Sequence, residues 1–486
     1  MHTRTQTGLP KHKRIFVNRT LNMANIKLIG FDMDHTLALY KHETFEALAF
    51  RETLKKFIED GYPKELLNLE FNPNFLIRGL LVDRKLGNIL RVDAHKYVKD
   101  AFHGHRRLTK EERYTHYNAQ GIDAENFLSV DTIFALSEVQ LFVEIVHFMS
   151  LNPGAIKKDY EEVYADLRRF IDLSHNDGSI KEKVIKNPER YISSDKYLAT
   201  ALVRLIDAGK GIFLLTNSSY EYTKVILDFL LNNAHEGFAR WNDYFEYVIV
   251  GSGKPGFFVG SQPFFEVVEH SDLLRLHSGT LRSKGIYYGG NAHLFEKLTG
   301  YRGDEILYVG DHIYTDIIRS KNLLNWRTML VIAELEKELP KLEKLKNDLH
   351  NIYEKLQEKE QLDEKTQILR SKIAANKRQL QKAEESNLGK KIEPLQQEVA
   401  KLVQIFEERK KELKELDQEI KFLIESREAK VHPVWGELMK VGLERSRFFY
   451  QVSAYACLYT SRASNLHFYS PFKKFISFHE VLPHDV

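Results

Sequence analysis

Two carboxylates lie two residues apart in Phe31-Asp32-Met33-Asp34-His35-Thr36, directly after the apolar run Ile26–Phe31. On a tight turn, one such acid can attack phosphorus as a nucleophile. The other can stand over the leaving oxygen and pass a proton. Two anions this close repel, and a Mg²⁺ relieves the repulsion while screening an incoming phosphate. Alone, this spacing is also an ordinary polar turn. Three further clusters accompany it. Thr216-Asn217-Ser218 follows Ile212–Leu215 and offers hydroxyls and N–H groups to phosphate oxygens; the plainer alternative is a helix N-cap. Lys254, in Ser252-Gly253-Lys254-Pro255, follows Tyr247–Val250 and can neutralise charge that builds on phosphorus; the alternative is a surface lysine in a turn. Gly310-Asp311-His312-Ile313-Tyr314-Thr315-Asp316 follows Ile306–Val309. Asp311 is placed as a metal ligand and Asp316 as a group that orients the lysine or supports the metal shell; an Asx turn is the alternative.

The four runs before these clusters, together with Thr328–Ile332, read as buried strands of a parallel sheet. Ligands of such sheets bind at the carboxyl ends of the strands, where all four clusters fall. The chain between Phe31 and Ile212 is far too long for one βα loop, so a separate domain is inserted there. Glu43–Glu59 and Asp159–Leu173 within it read as helices. Ile77–Val82 and Ile89–Val92 read as a strand pair around a turn at Lys85–Asn88. The predicted organisation is a discontinuous core at 17–45 and 195–335, a mainly helical cap at 46–194, a helical hairpin at 336–430, and a C-terminal segment at 431–486 that packs back on the core.

The hairpin expectation comes from periodicity. From Glu334 to Lys430 the chain is dense in Lys, Glu and Gln. Leu342, Leu345, Leu349, Ile352 and Leu356 form a heptad seam, as do Leu395, Val399, Leu402 and Phe406, continued by Leu413, Leu416, Ile420 and Leu423. The turn is expected within Glu384–Gly389, and Pro394 is awkward for an unbroken second helix. Such an arm is either a solvated self-packed pair or a contact surface for a partner.

Composition narrows the classes. At 486 residues with 43% hydrophobic content the chain has material for about three folded domains. The 71 basic and 68 acidic residues leave a net charge of +3, no footprint for nucleic acid. The single cysteine, Cys457, excludes a disulfide framework and a Cys-based zinc site. No secretory signal and no membrane-length apolar run is visible, and a cytoplasmic location is expected.

The four clusters, in this order, resemble the haloacid dehalogenase superfamily of phosphohydrolases. A closer likeness is to the cytosolic purine 5′-nucleotidases of the IMP/GMP-preferring type. It is carried by Asp32-Met33-Asp34-His35-Thr36-Leu37, Arg78-Gly79-Leu80, Gly87-Asn88-Ile89-Leu90, Thr216-Asn217-Ser218-Ser219-Tyr220 and the Gly310–Asp316 stretch. It runs from about Val17 to Leu335 and faintly again from Trp435. The resemblance implies an α/β, dehalogenase-like Rossmannoid core with an inserted cap, Mg²⁺ dependence, hydrolysis of 6-oxopurine nucleoside monophosphates and phosphoryl transfer to nucleosides. It also implies a homo-oligomer with a purine nucleotide effector. Asp32 is then the nucleophile and Asp34 the acid and base, with Lys254 also catalytic. Thr216, Asn217 and Ser218 hold phosphate. Asp32, Asp34 (through its carbonyl) and Asp311 hold the metal, supported by Asp316. Phe134 matches the family's base-stacking aromatic, and Arg168, Asp172, His175 and Lys181 match its base readers. By spacing alone, Arg168 and Asp172 read as a helix i,i+4 ion pair, and it is the resemblance that makes them base readers. Rival readings are a phosphatase of the same superfamily with another substrate, and a non-catalytic scaffold acting through the arm.

Overall fold

A computed structural model describes residues 8–123, 126–268, 273–386 and 389–477. These fall into two compact units: one runs to Pro340 and resumes at Glu437, and the other is Lys341–Gly436.

The first unit is mixed α/β. Its main sheet has ten strands among the described residues: β1 (Phe16–Val17), β2 (Leu28–Phe31), β3 (Gly211–Leu215), β4 (Tyr247–Val250), β5 (Phe264–Val267), β6 (Leu274–Leu276), β7 (Gly285–Gly289), β8 (Ile306–Gly310), β9 (Arg327–Val331) and β10 (Leu458–Thr460). Their order is β1-β10-β9-β8-β2-β3-β4-β7-β5-β6. Every join from β10 to β7 is parallel; the joins β1–β10, β7–β5 and β5–β6 are antiparallel. Alternate residues of the central strands face opposite layers. Ile29, Phe31, Leu214, Val248 and Val309 join one apolar cluster. Leu28, Phe213, Leu215, Ile249 and Tyr308 join another, with Trp326. Both faces are therefore covered, which is why these strands read as unbroken apolar runs.

The sheet is wider than the five runs expected, and its second strand starts at Leu28 and not Ile26. The segment between β2 and β3 also holds more strand than expected. Leu81–Asp83, Asn88–Val92, Val98–His103, Arg106–Arg107 and Leu128–Ser129 form a five-stranded antiparallel sheet. The expected strand Ile77–Val82 begins only at Leu81. Gly79 explains the delay: it has φ +83°, and a Cβ there would lie 2.4 Å from Phe448 Cβ. Three helices, His42–Glu59, Ala135–Leu151 and Tyr160–Asn176, pack on one another in the same segment. The third opens with Asp159 and Glu162 in a reciprocal capping box.

The second unit contains helices Lys346–Glu385 and Gly389–Val431. They run antiparallel, as the ion pairs Asp348–Lys430 (2.6 Å), Lys355–Glu419 (3.2 Å) and Lys359–Asp417 (2.5 Å) show. At the base, Lys341 Nζ donates to the Val431 carbonyl at 2.8 Å. Buried residues along the pair include Ile352, Thr366, Ile373 and Ala383 on one helix and Leu416 and Ile420 on the other. The seam thus continues past Leu356, where the leucine pattern stops, through a threonine whose hydroxyl bonds back to the Leu362 carbonyl at 2.7 Å. The second helix runs through Pro394. Asn387 and Leu388, in the expected turn, lie outside the described residues. No helix among the described residues is long and apolar enough to cross a membrane.

Candidate active site

The carboxyl ends of β8, β2, β3 and β4 stand side by side, and each carries one cluster of polar residues. Lys254 is the hub. Its Nζ lies 2.9 Å from Asp32 Oδ1 and 2.9 Å from Asp316 Oδ1, and donates to Tyr308 Oη at 2.9 Å. Burial opposes the lysine's charge, but Asp316 and Asp32 outweigh it and hold its pKa well above the ordinary value. The lysine is therefore an ammonium at neutral pH. Asp32 Oδ1 also accepts the Met33 N–H at 2.8 Å.

Carboxylate oxygens of Asp32, Asp311 and Asp316, all buried, lie within 4.8 Å of one another. Burial pushes Asp32 upward; Lys254 pulls it back, and Asp316 and Asp311 add to the push. Burial and then Asp316 raise Asp311 to about 7. One ammonium against three buried acids leaves negative charge uncompensated. A hard, all-oxygen donor set with surplus negative charge fits a Mg²⁺ ion. Asp316, expected only as support, brings its own carboxylate into this cluster. A Cβ on Gly310 would fall 2.4 Å from Asp316 Oδ2, so glycine is what lets that carboxylate approach the strand end.

The Asp34 carboxylate stays out of the cluster. Its Oδ1 accepts from Tyr40 Oη at 2.6 Å and its Oδ2 from Ser218 Oγ at 2.8 Å. Burial raises its pKa, against the pull of those two hydrogen bonds. A carboxyl held this way, buried and off the acidic cluster, suits proton transfer better than metal binding. Thr216 is fully buried at the end of β3, and its Oγ1 accepts the Ser218 N–H at 3.1 Å.

The side chain of Asn217 is engaged away from the cavity floor, although the residue itself lines the cavity. Expected among the phosphate ligands, its amide is spent on the neighbouring loop. Its Oδ1 accepts from Ser252 Oγ (2.8 Å) and from the Lys254 N–H (2.6 Å), and its Nδ2 donates to the Lys254 carbonyl (3.0 Å).

A cavity of about 560 Å³ opens from Asp34 and Ser218. The same cavity is lined by Phe134, Arg168, Asp172, His175 and Lys181, so all five expected base readers face one space. Arg168 forms the i,i+4 pair with Asp172, with Nε to Asp172 Oδ2 at 3.2 Å, and also donates from Nη1 to Glu138 Oε2 at 2.7 Å. Glu138 is buried and also takes the Tyr164 hydroxyl. Burial and the nearby Lys181 lower His175 to about 4, so its imidazole is neutral. Phe134 meets His35 edge-on at 4.4 Å and His175 at 6.2 Å.

Several site residues escaped the sequence reading. Tyr40, Tyr222, Tyr308, Thr132 and Glu138 carry no motif. Thr132 Oγ1 reaches Asp311 Oδ2 at 3.3 Å. Arg78, quoted only as part of a likeness, is fully buried. It donates from Nη1 to the Asp311 carbonyl at 2.8 Å and grips Glu334 with two bonds of 2.7 and 2.6 Å.

A parallel-rich α/β sheet with an acidic cluster and a buried lysine at adjacent strand ends is an arrangement suited to phosphoryl chemistry. The sequence profile described as the 5′ nucleotidase family matches residues 15–486, and the chain belongs to that family. A 5′-nucleotidase domain-containing protein of Dictyostelium discoideum is 29% identical over 334 residues, covering 67% of this chain. The match spans 56% of that relative's own length. Among solved structures, a predicted phosphoglycolate phosphatase from Haemophilus somnus aligns over 64% of this chain and 86% of its own, at 15% identity and a TM-score of 0.28.

Proposed function

We propose that this chain is a Mg²⁺-dependent 5′-nucleotidase that hydrolyses purine nucleoside monophosphates, IMP and GMP before AMP. The observation that carries the reading is the single cavity that joins Asp34 and Ser218 at one end to Phe134, Arg168, Asp172, His175 and Lys181 at the other. Its volume falls in the ordinary range for a small-ligand site. Residues 46–194 act as the cap that brings base recognition to the core's strand ends.

Asp32 attacks the phosphorus in line and becomes an aspartyl-phosphate. Asp34 protonates the leaving O5′, then takes a proton from the attacking water or from a nucleoside hydroxyl in phosphoryl transfer. Lys254 neutralises charge on the phosphoryl oxygens, while Thr216 and Ser218 hold them. Asp32 and Asp311, with Asp316 beside them and the Asp34 carbonyl, would hold Mg²⁺. The ion supplies Lewis-acid charge and permits anionic phosphate beside buried acids. At the base end, a 6-oxopurine presents O6 and N7 acceptors and an N1–H donor. Arg168, Lys181 and Asp172 complement those edges, and Phe134 offers a ring to stack on. Adenine lacks N1–H and so offers Asp172 no donor at that edge.

A phosphate-release panel over purine and pyrimidine monophosphates, with and without Mg²⁺, tests this. The expected result is metal-dependent release from IMP and GMP, exceeding AMP by roughly 10- to 150-fold. Equal kcat/KM for IMP and AMP would remove the base assignment. Undiminished release by a folded Asp32→Asn protein would remove the nucleophile.

A further inference from the structure

Tyr40 enters the site from the two-residue strand Leu39–Tyr40, which pairs with Ile192–Ser193. Its hydroxyl lies 2.6 Å from Asp34 Oδ1 and 2.9 Å from Tyr222 Oη. Asp34 Oδ2 has Ser218 Oγ at 2.8 Å. Tyr40, Tyr222 and Ser218 are all buried, and all three line the cavity with Asp34. A phenol has one proton. With that of Tyr40 aimed at the carboxylate, the bond between the two tyrosines must run from Tyr222 to Tyr40. The chain of donors therefore points one way, toward Oδ1. Ser218 is different, because its hydroxyl can rotate and either donate or accept.

We propose that Tyr40, braced by Tyr222, is the positioning residue that locks Asp34 for proton delivery, and that it leaves Oδ2, shared with Ser218, as the oxygen that carries the proton. The proposal rests on Asp34 acting as acid and base. In the first step Asp32 bonds to phosphorus. The bond from phosphorus to the leaving oxygen breaks with its electron pair on that oxygen, which receives the Oδ2 proton. In the second step a water oxygen bonds to phosphorus and one water proton passes to Oδ2. The Asp32–phosphorus bond breaks with its electron pair on the carboxylate. Ser218 Oγ accepts from Oδ2 when the proton is present, which leaves its own proton for a phosphoryl oxygen, and donates to Oδ2 when the proton has gone. Tyr40 donates throughout.

Leaving-group dependence tests this. A ribose alkoxide needs a proton to depart, whereas p-nitrophenolate departs without one. First-turnover release is measured for wild type and Tyr40→Phe with IMP, with a plain alkyl phosphate, and with p-nitrophenyl phosphate. Tyr40→Phe is expected to slow release from IMP and from the alkyl phosphate by roughly 30-fold, and p-nitrophenol release by about threefold or less. Tyr222→Phe, which removes only the outer donor, is expected to fall between wild type and Tyr40→Phe on the alkyl substrates. Equal slowing on all three substrates, or no slowing on any, overturns the proposal. A wrong base assignment shows differently: wild type then cleaves the alkyl phosphate but not IMP, and the alkyl comparison still decides the role of Tyr40.

Discussion

Asn217 and Lys254 are tied to each other by two hydrogen bonds between the amide of one and the main chain of the other. Asn217 Oδ1 accepts the Lys254 N–H at 2.6 Å, and Nδ2 donates to the Lys254 carbonyl at 3.0 Å. The loop after β4 is thereby fastened to the loop after β3. The amide fixes where the lysine side chain starts, and the side chain then bridges Asp32 and Asp316.

Asn217→Ala is therefore expected to lower kcat/KM by about 10- to 100-fold, the usual range for groups that orient an active-site residue. Asn217→Asp should not restore it, because a carboxylate oxygen would face the Lys254 carbonyl. Circular dichroism and phosphate-release kinetics check both; full activity in Asn217→Ala would make the clamp incidental.

Glu138 should matter to the nucleoside and little to the phosphate. It holds Arg168 from a neighbouring helix at 2.7 Å. Glu138→Ala frees the guanidinium, and the KM for IMP is expected to rise roughly 10-fold or more. Turnover of p-nitrophenyl phosphate, which has no base to read, should fall far less. A parallel loss on both substrates would mean that Glu138 only supports the fold.

Metal affinity should depend on pH through Asp311, raised to about 7 by burial and by Asp316. A divalent cation binds the carboxylate form. Below about pH 7 the ion must displace a proton, so its affinity falls as pH falls, toward about tenfold per unit. Calorimetric titration with Mg²⁺ at pH 6 and pH 8 is expected to show tighter binding at pH 8, with proton release growing at the lower pH. Identical Kd values at both would contradict this.

Stability should fall as pH rises, through Glu46. This fully buried acid beside Ser137 is raised by burial to about 8 from an ordinary 4.5. Below the ordinary value both folded and unfolded chains are protonated and nothing is lost. Between the two values the unfolded chain gives up the proton and the folded one keeps it, so each pH unit costs stability; above about 8 the loss is complete. Glu46→Gln is expected to stabilise the protein by an amount that grows from pH 5 to pH 8, reaching on the order of 3 kcal/mol. Urea unfolding at several pH values measures it, and a gain independent of pH would place the effect elsewhere.

The parallel sheet was legible because its strands are buried on both faces, and the acids, the lysine and the threonine drew notice because each lies in the segment just after such a run. Tyr40, Tyr222 and Glu138 were not. Tyr40 belongs to a strand of two residues, and Glu138 looks like one of several polar side chains in a largely apolar helix. The Tyr40–Tyr222 and Glu138–Arg168 partners lie far apart in sequence, and only tertiary packing brings them together. The type of Asn217 suits phosphate and a neighbouring main chain equally, and its bonds to the Lys254 loop are invisible in the sequence. In the small antiparallel sheet the strand pair around Lys85–Asn88 was expected, while Arg106–Arg107 and Leu128–Ser129 escaped for want of length, with two residues each. The arm's seam was under-read because Thr366 occupies a place where a leucine pattern would be sought.

The bond between Lys341 and the Val431 carbonyl closes the helical arm where it begins and ends, so its two strands of chain leave and return at one point. An antiparallel helical pair joined at its root can be extended along its own axis. Seven residues added to each helix restore the same faces to the seam and carry the tip about 10 Å further out, while the root keeps its stitches. Reach can thus be lengthened or shortened in whole-heptad steps, like sections of a telescoping pole.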